Sequence, residues 1–292
     1  MTTMARPKPH PAVRRMRIKK ALLNALRVAF VCLVMLIVIL PFYVAILYAF
    51  RKTGTIPANR LAWPSNPTLD NFREVILNND RFLIGYKNSI LNTIPTILLL
   101  MFMTSIAAWV LARFNSRFYR VMYSILTLGL LIPFQCYELP LYLNWYNAGL
   151  VSSNLGFIIA RTGLQISISL TAVTGFVKTV PRELEEAANI DGCPRFKTFW
   201  KIVFPLMTPI NVTQLVLNTL FVWNDYSTAI ILLRSKESQT LTLAQIVYFT
   251  ENMSLLNQAF AFFILSMVPI LILYLSLQKY IVSGITAGAV KG

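Results

Sequence analysis

Groups able to do chemistry are sparse in this chain and fall in two settings. One is a polar stretch, residues 178–209, where Glu183, Glu185, Glu186 and Asp191 mix with Lys178, Arg182, Arg195, Lys197 and Lys201. The other is a set of single charges, Glu138, Arg161 and Asp225, each embedded in apolar surroundings. Neither setting reads as a catalytic centre, which needs a nucleophile, a base and an orienting group in reach of one another. His10 is the only histidine and sits in a basic, proline-containing segment, so a zinc site or a histidine-based triad lacks its parts. Cys32, Cys136 and Cys193 lie in or beside apolar segments without metal spacing and read as small hydrophobes. No G-x-x-x-x-G-K-[ST] loop is present, so any nucleotide chemistry has to come from another chain.

The elements that must position these groups are set by composition. Of 292 residues, 56% are hydrophobic and 13% charged, which is the range of polytopic membrane proteins. Residues 1–27 hold eight Lys and Arg and no acid, and an uncharged run of 23 residues, 28–50, follows. That run is longer than the apolar region of a signal peptide, and no small-residue cleavage site follows it, so it reads as a first span. Further spans are expected at 88–112, 121–145, 155–177, 205–233 and 255–278, with a break at 147–154. In the connection 51–87, Thr68 is placed to cap a short helix through Phe72 and Val75. The segments assigned inside then hold 18 Lys and Arg against 8 outside, which favours both termini in the cytoplasm. In a membrane protein the net charge of +16 reports sidedness, with no implication of nucleic acid.

Within the inside stretch, Thr179, Val180 and Pro181 can open a short helix, with Glu183, Glu185 and Glu186 at its positive end. Leu184, Ala187 and Ala188 share one face, and the alanines leave it flat enough for another protein to approach. Gly192 suits a left-handed cap, and Pro194 can start a second helix on which Phe196, Phe199, Trp200 and Ile202 can pack. Two short helices at a corner are expected. In the spans, Asn211, Gln214, Asn218, Phe221 and Asp225 recur at steps of three and four, as do Gln135, Glu138, Tyr142 and Trp145. Such seams face protein or water, either as a path for a hydroxyl-rich solute or as hydrogen-bonded glue between helices. Glu138 and Arg161, on adjacent spans, can neutralise one another. Residues 238–245 either reach toward an external partner or form a passive loop.

The polar stretch resembles the signature of ATP-binding-cassette importer permeases, E-A-A, three residues, G, nine residues, I-x-L-P. Glu186, Ala187, Ala188, Gly192, Ile202 and Pro205 fall in register, and Phe204 stands where leucine is usual, keeping an apolar side chain before the proline. The wider text is similar to the carbohydrate-uptake branch, which includes the second membrane subunit of the maltose importer. The shared stretches are PRELEEAANIDG, Pro67 to Phe72, Asn88-Ser89, Trp223-Asn224-Asp225-Tyr226, and the terminal Thr286 to Gly292.

The resemblance implies an all-α polytopic membrane protein with six transmembrane helices, both termini cytoplasmic, and cytoplasmic coupling helices between spans 4 and 5. A basic tail, 1–27, precedes a transmembrane domain, 28–284, whose coupling region is 178–204, and a cytoplasmic tail, 285–292, follows. That tail either reaches between ATPase subunits or is a disordered end. The implied partners are a second, similar permease, two ATP-binding subunits that carry MgATP, and an external solute-binding protein, all at a bacterial inner membrane. Glu183, Glu186, Ala187, Ala188, Asp191, Gly192 and Pro205 are the implied coupling residues. Candidates for the substrate path are Gln135, Glu138, Tyr142, Asn218, Phe221, Trp223, Asn224 and Asp225. The expected function is import of a sugar or oligosaccharide. A polyol, glycerol phosphate or nucleoside as cargo is the alternative within the class, and a self-sufficient secondary transporter is the alternative outside it. The latter usually shows two related halves, and no internal repeat is visible here.

Overall fold

The computed structural model describes residues 11–54, 59–251 and 255–289. His10 and the first ten residues of the predicted basic tail lie outside the described residues, as do 290–292 of the predicted C-terminal tail. Among the described residues the chain is all helix, without a strand. Helix α1 is Pro11–Ala49, α2 Asp70–Leu77, α3 Asp80–Arg113, α4 Arg117–Leu128, α5 Phe134–Asn147 and α6 Asn154–Val177. Two short helices, α7 (Glu183–Ile190) and α8 (Arg195–Thr198), lead through a π turn, Phe199–Val203, into α9 (Phe204–Leu206). Then come α10 (Thr208–Trp223), α11 (Ser227–Leu232), α12 (Leu241–Glu251) and α13 (Leu256–Ala289). Helix α1 begins inside the predicted tail, and α13 runs past the predicted end of the last span.

Four of these helices, α1, α3, α6 and α13, are each long and apolar enough to cross a membrane alone. The expected continuous helices at 121–145 and 205–233 are broken. Helices α4 and α5 meet at 102°, because Pro133 has no N–H to donate and holds Ile132 extended, just after a tight turn at Gly129–Leu131. The segment ending at Leu206 and α10 meet at 72°. There Pro209 cannot donate to the carbonyl of Pro205, and the Thr208 hydroxyl donates to it instead at 2.6 Å. A second break, at 224–226, separates α10 from α11.

The most extensive pairing is α3 against α6. On α3 the buried positions Gly85, Ser89, Asn92, Thr96, Leu100, Thr104, Ala108 and Ala112 recur at steps of three or four, mostly small side chains that let backbones approach. Thr96 returns its hydroxyl to the Asn92 carbonyl at 2.7 Å, so that hydroxyl is satisfied within the helix. One core gathers Phe82, Trp223, Leu241 and Phe262 where α3, α10, α12 and α13 meet. A second gathers Leu170, Phe199, Val203 and Met207 where α3, α6 and the π turn meet.

Residues 238–245 are neither an outward-reaching segment nor a passive loop: they lead into helix α12, which packs on α3. Ser238, Thr240, Leu241, Leu243 and Ala244 are buried. Gly85 makes the contact possible, since a Cβ there would lie 3.0 Å from the Leu241 Cα. The Asn88-Ser89 pair anchors this segment: Asn88 Nδ2 donates to the carbonyls of Glu237 and Gln239 at 2.7 and 3.0 Å, and Ser89 Oγ accepts from the Leu241 N–H at 2.8 Å.

Asn71 has a comparable task at the end of α1. Its Nδ2 donates to the carbonyls of Ala49 and Arg51 at 2.7 and 2.8 Å, and its Oδ1 accepts from the Thr53 hydroxyl at 2.7 Å. Thr68, expected as the cap, accepts from the Asp70 N–H at 3.1 Å from one position further out, and Leu69 occupies the N-cap of α2. Replacing the buried Asn71 with Ala removes three hydrogen bonds and is expected to cost about 1–3 kcal/mol. Thermal unfolding of the purified protein measures this, with exposed Leu69→Ala as the comparison, expected within about 0.5 kcal/mol of wild type.

Candidate functional site

The polar stretch folds into the expected corner. Helix α7 ends at Ile190, Asp191 follows as its C-cap, Gly192 adopts φ +74°, and Pro194 sits at the N-cap of α8. A left-handed residue there turns the chain back, with the Cys193 N–H donating to the Ala188 carbonyl at 2.9 Å. The helix starts at Glu183, not at the expected 179–181. Thr179 and Val180 instead donate their N–H groups to Phe176 and Val177, finishing the last turn of α6.

What holds α7 in place is Glu185. One of its carboxylate oxygens lies 2.6 Å from Arg113 Nε and the other accepts from Trp109 Nε1 at 2.9 Å. Arg113 also donates to the Val180 carbonyl at 2.9 Å, and Arg182 donates to that of Ala112 at 3.1 Å. Glu185 stood among three acids read only for the helix dipole. Its signal in sequence was weak, because the partners lie more than 70 residues away. Clamped by Glu185, α7 turns Ala188 inward, 6% exposed, and not toward a partner beside Ala187 as expected.

The opposite surface is open. Glu183, Glu186, Ala187, Asp191, Gly192 and Pro205 are exposed. So are three apolar side chains: Leu184, Ile190 at 85% and Phe196 at 72%, the last expected to pack. Ile190 and Phe196 flank the Gly192 corner and were missed as contact residues. Large apolar groups within an otherwise charged turn were the available signal.

Among the span residues, the structure divides the two seams. Asn218, 2% exposed, accepts from Gln165 Nε2 at 2.9 Å and exchanges contacts with Ser169 Oγ and Gln214 Oε1, so it ties α10 to α6. Asn211 accepts from Ser105 Oγ of α3 at 3.3 Å. Trp223 is turned into the core, its indole N–H donating to the Ser266 carbonyl at 3.2 Å. Phe221 and Asn224 are exposed. Gln135, Glu138 and Tyr142 of α5 do come together, lining with Ile230, Ile231 and Arg234 a cavity of about 460 Å³, in which the Arg234 guanidinium lies 5.8 Å from the centre of the Tyr142 ring. Trp145, one turn on, donates to the Gly156 carbonyl at 2.8 Å and so packs α5 on α6.

The expected pairing of Arg161 with Glu138 is overturned. Arg161 Nε lies 3.1 Å from Asp225 Oδ2, with the two side chains 13% and 7% exposed. Asp225 sits in the break between α10 and α11, where its other oxygen accepts from the Thr228 N–H at 3.0 Å. An unwound stretch lets an acid cap the next helix and meet a cation on its neighbour at once, which a residue inside a continuous helix cannot do. Among the described residues, no group of three His, Cys, Asp or Glu could hold a metal ion.

A family model described as binding-protein-dependent transport system inner membrane component matches residues 81–287. The melibiose/raffinose/stachyose import permease protein of Bacillus subtilis is 34% identical, across 87% of this chain and 91% of that protein. A multiple sugar-binding transport system permease protein of Streptococcus mutans is 34% identical, across 88% and 93%. A crystal structure of a bacterial ABC transporter involved in the import of the acidic polysaccharide alginate contains a chain of similar fold. Its TM-score is 0.77 at 20% identity, over 94% of this chain and 99% of that one.

The Arg161–Asp225 pair yields a test. Asp225→Asn alone is expected to cost about 3 kcal/mol, because it leaves an uncompensated cation in a water-poor site. Adding Arg161→Gln should recover part of that loss, whereas adding Glu138→Gln should not. Thermal stability of the purified single and double variants checks this.

Proposed function

This chain belongs to the family of inner membrane components of binding-protein-dependent transport systems, and we propose that it is the permease subunit of an importer that carries a sugar or oligosaccharide into the cytoplasm. The sugar assignment draws on the import permeases it resembles at 34% identity over most of both chains. The energy comes from ATP hydrolysis in a separate subunit, which carries the MgATP. In this reading the bent pairs α4–α5 and α9–α10 each make one crossing, giving six spans with both termini in the cytoplasm. The positive-inside balance supports that orientation. The partners are a second permease, two ATP-binding subunits and an external solute-binding protein.

The observation that carries this reading is the α7–Gly192–α8 corner, braced at its base by Glu185 and exposed on the far side. Glu183, Glu186, Ala187, Asp191 and Gly192 form the docking surface for the ATP-binding subunit, with Leu184, Ile190 and Phe196 as its apolar contacts. Ala188 contributes from beneath, by a side chain small enough to let α7 sit on the bundle. Pro205 sets the angle at which the corner leaves α10. A rigid mount matters because a moving ATPase can transmit force only through an element that does not fold away under load.

For the path of the solute, Gln135, Glu138 and Tyr142 offer a planar amide, a carboxylate and a ring, groups suited to hydroxyls and to sugar C–H faces. Phe221 and Asn224 extend that exposed set. Asn218, Trp223 and Asp225 support it from within the helix packing.

Gly192→Leu forces a branched side chain into a left-handed backbone, and Glu186→Lys reverses a docking charge. Both variants should insert normally into the membrane. ATP hydrolysis stimulated by the loaded binding protein should fall at least about tenfold in each, as measured on the reconstituted importer. Normal stimulation in both would remove the corner from the coupling role.

A further inference from the structure

A second cavity, of about 600 Å³, opens where the end of α3, the start of α4 and the end of α6 converge. Its lining carries four cations, Arg113, Arg120, Lys178 and Arg182, and no carboxylate. Glu185 neutralises Arg113. Among the described residues no carboxylate pairs with the other three. The Lys178 ammonium rests 5.4 Å from the centre of the Tyr123 ring, and Arg182 donates to a neutral carbonyl. Arg182 also borders the adjoining hollow lined by Glu185 and Glu186, so Arg120 and Lys178 are the cations left without a carboxylate in reach. Cations gathered around one hollow favour an anion within it.

The outer side of α4 says which anion. Phe118, Val121, Ile125 and Leu128 recur at steps of three and four and are all exposed, forming one apolar stripe. Tyr119 and Tyr123 stand between that stripe and the cations, both lining the cavity. Apolar outside, aromatic at the junction and cationic within is the layering of a bilayer boundary: acyl chains, interfacial rings, headgroups. An acidic protein surface would match the cations but would leave the stripe uncovered.

We propose that this cavity binds the phosphate of an anionic phospholipid, with Arg120, Lys178 and Arg182 around the phosphate and the acyl chains along the α4 stripe. Basic hollows between spanning helices are a recurrent setting for such headgroups. The site is independent of which solute is carried. It has a mechanical consequence, because Arg113 and Arg182 line the cavity and also hold the base of α7. A bound headgroup therefore braces the same footing from its other side.

The test uses the assembled importer in mild detergent, equilibrated with phosphatidylglycerol or phosphatidylcholine and read by native mass spectrometry. Wild type is expected to retain phosphatidylglycerol in preference. Arg120→Gln with Lys178→Gln should lower that retention at least about tenfold. Arg117→Gln, one turn away and outside the lining, should not lower it, and the charge-conserving pair Arg120→Lys with Lys178→Arg should keep most of it. Millimolar inorganic phosphate should leave the lipid in place. Equal retention by wild type and the double Gln variant overturns the proposal. Displacement by inorganic phosphate overturns it in favour of a free-phosphate site. Loss of the ATP-binding subunit from the double Gln variant, with lipid retention unchanged, overturns it in favour of a protein contact.

Discussion

The two oxygens of Glu185 are the tie on which the rest of the exposed corner depends. Helix α7 has eight residues, too few to persist on its own hydrogen bonds. Its only buried side chain is Ala188, which offers little apolar area. Position must therefore come from directional contacts, and charge-assisted hydrogen bonds to Arg113 and Trp109 supply it. Both donors belong to the last turns of α3, itself locked along its length to α6. The corner is thus referenced to the most firmly packed helix pair in the chain, while its outer surface stays free of internal obligations.

Apolar helices in lipid gain little from mutual burial, and this chain answers that difficulty in two ways. Along α3 and α6, small side chains and back-bonded hydroxyls bring backbones close, so that dispersion contacts accumulate. At the ends, amides do the fastening. Asn71, Asn88 and Asn218 each satisfy two or more groups on other segments, which trades side-chain freedom for a single geometry. Two of the breaks follow the same economy: at Met207 the Thr208 hydroxyl takes up the Pro205 carbonyl, and at 224–226 Asp225 accepts from the Thr228 N–H.

Much of this architecture was legible in the order of residues, for physical reasons that also mark where legibility stops. Uncharged runs locate apolar helices because length and hydropathy are local properties, and α6 begins within one residue of its expected start. Gly192 was readable because a corner between two helices needs a left-handed residue. Pro133 sits in plain view, yet a run of apolar residues on both sides masks the break. The pairing of Arg161 with Asp225 was not readable, because it depends on unwinding at 224–226, a feature that moves Asp225 off the helical face counted for it. Burial of α12 was equally hidden: its polar flanks suggested a loop, while Gly85, 156 residues earlier, provides the space. Placement of Glu185 fails in the same way, as its partners are distant in sequence.

One carbonyl joins the first and last long helices. The Arg51 oxygen accepts from Asn71 of α2 at 2.8 Å and from Asn257 in the first turn of α13 at 2.6 Å, just beyond the end of α1. Helices α1 and α13 are thereby joined at one end, and α13 is held again further along, where the Trp223 indole donates to the Ser266 carbonyl. Helix α13 has 34 residues, so it extends about 50 Å from that junction. Two hydrogen bonds on a single carbonyl thus fix where the chain's first and last long helices meet, so a change in the turn after α1 is felt directly at the start of α13.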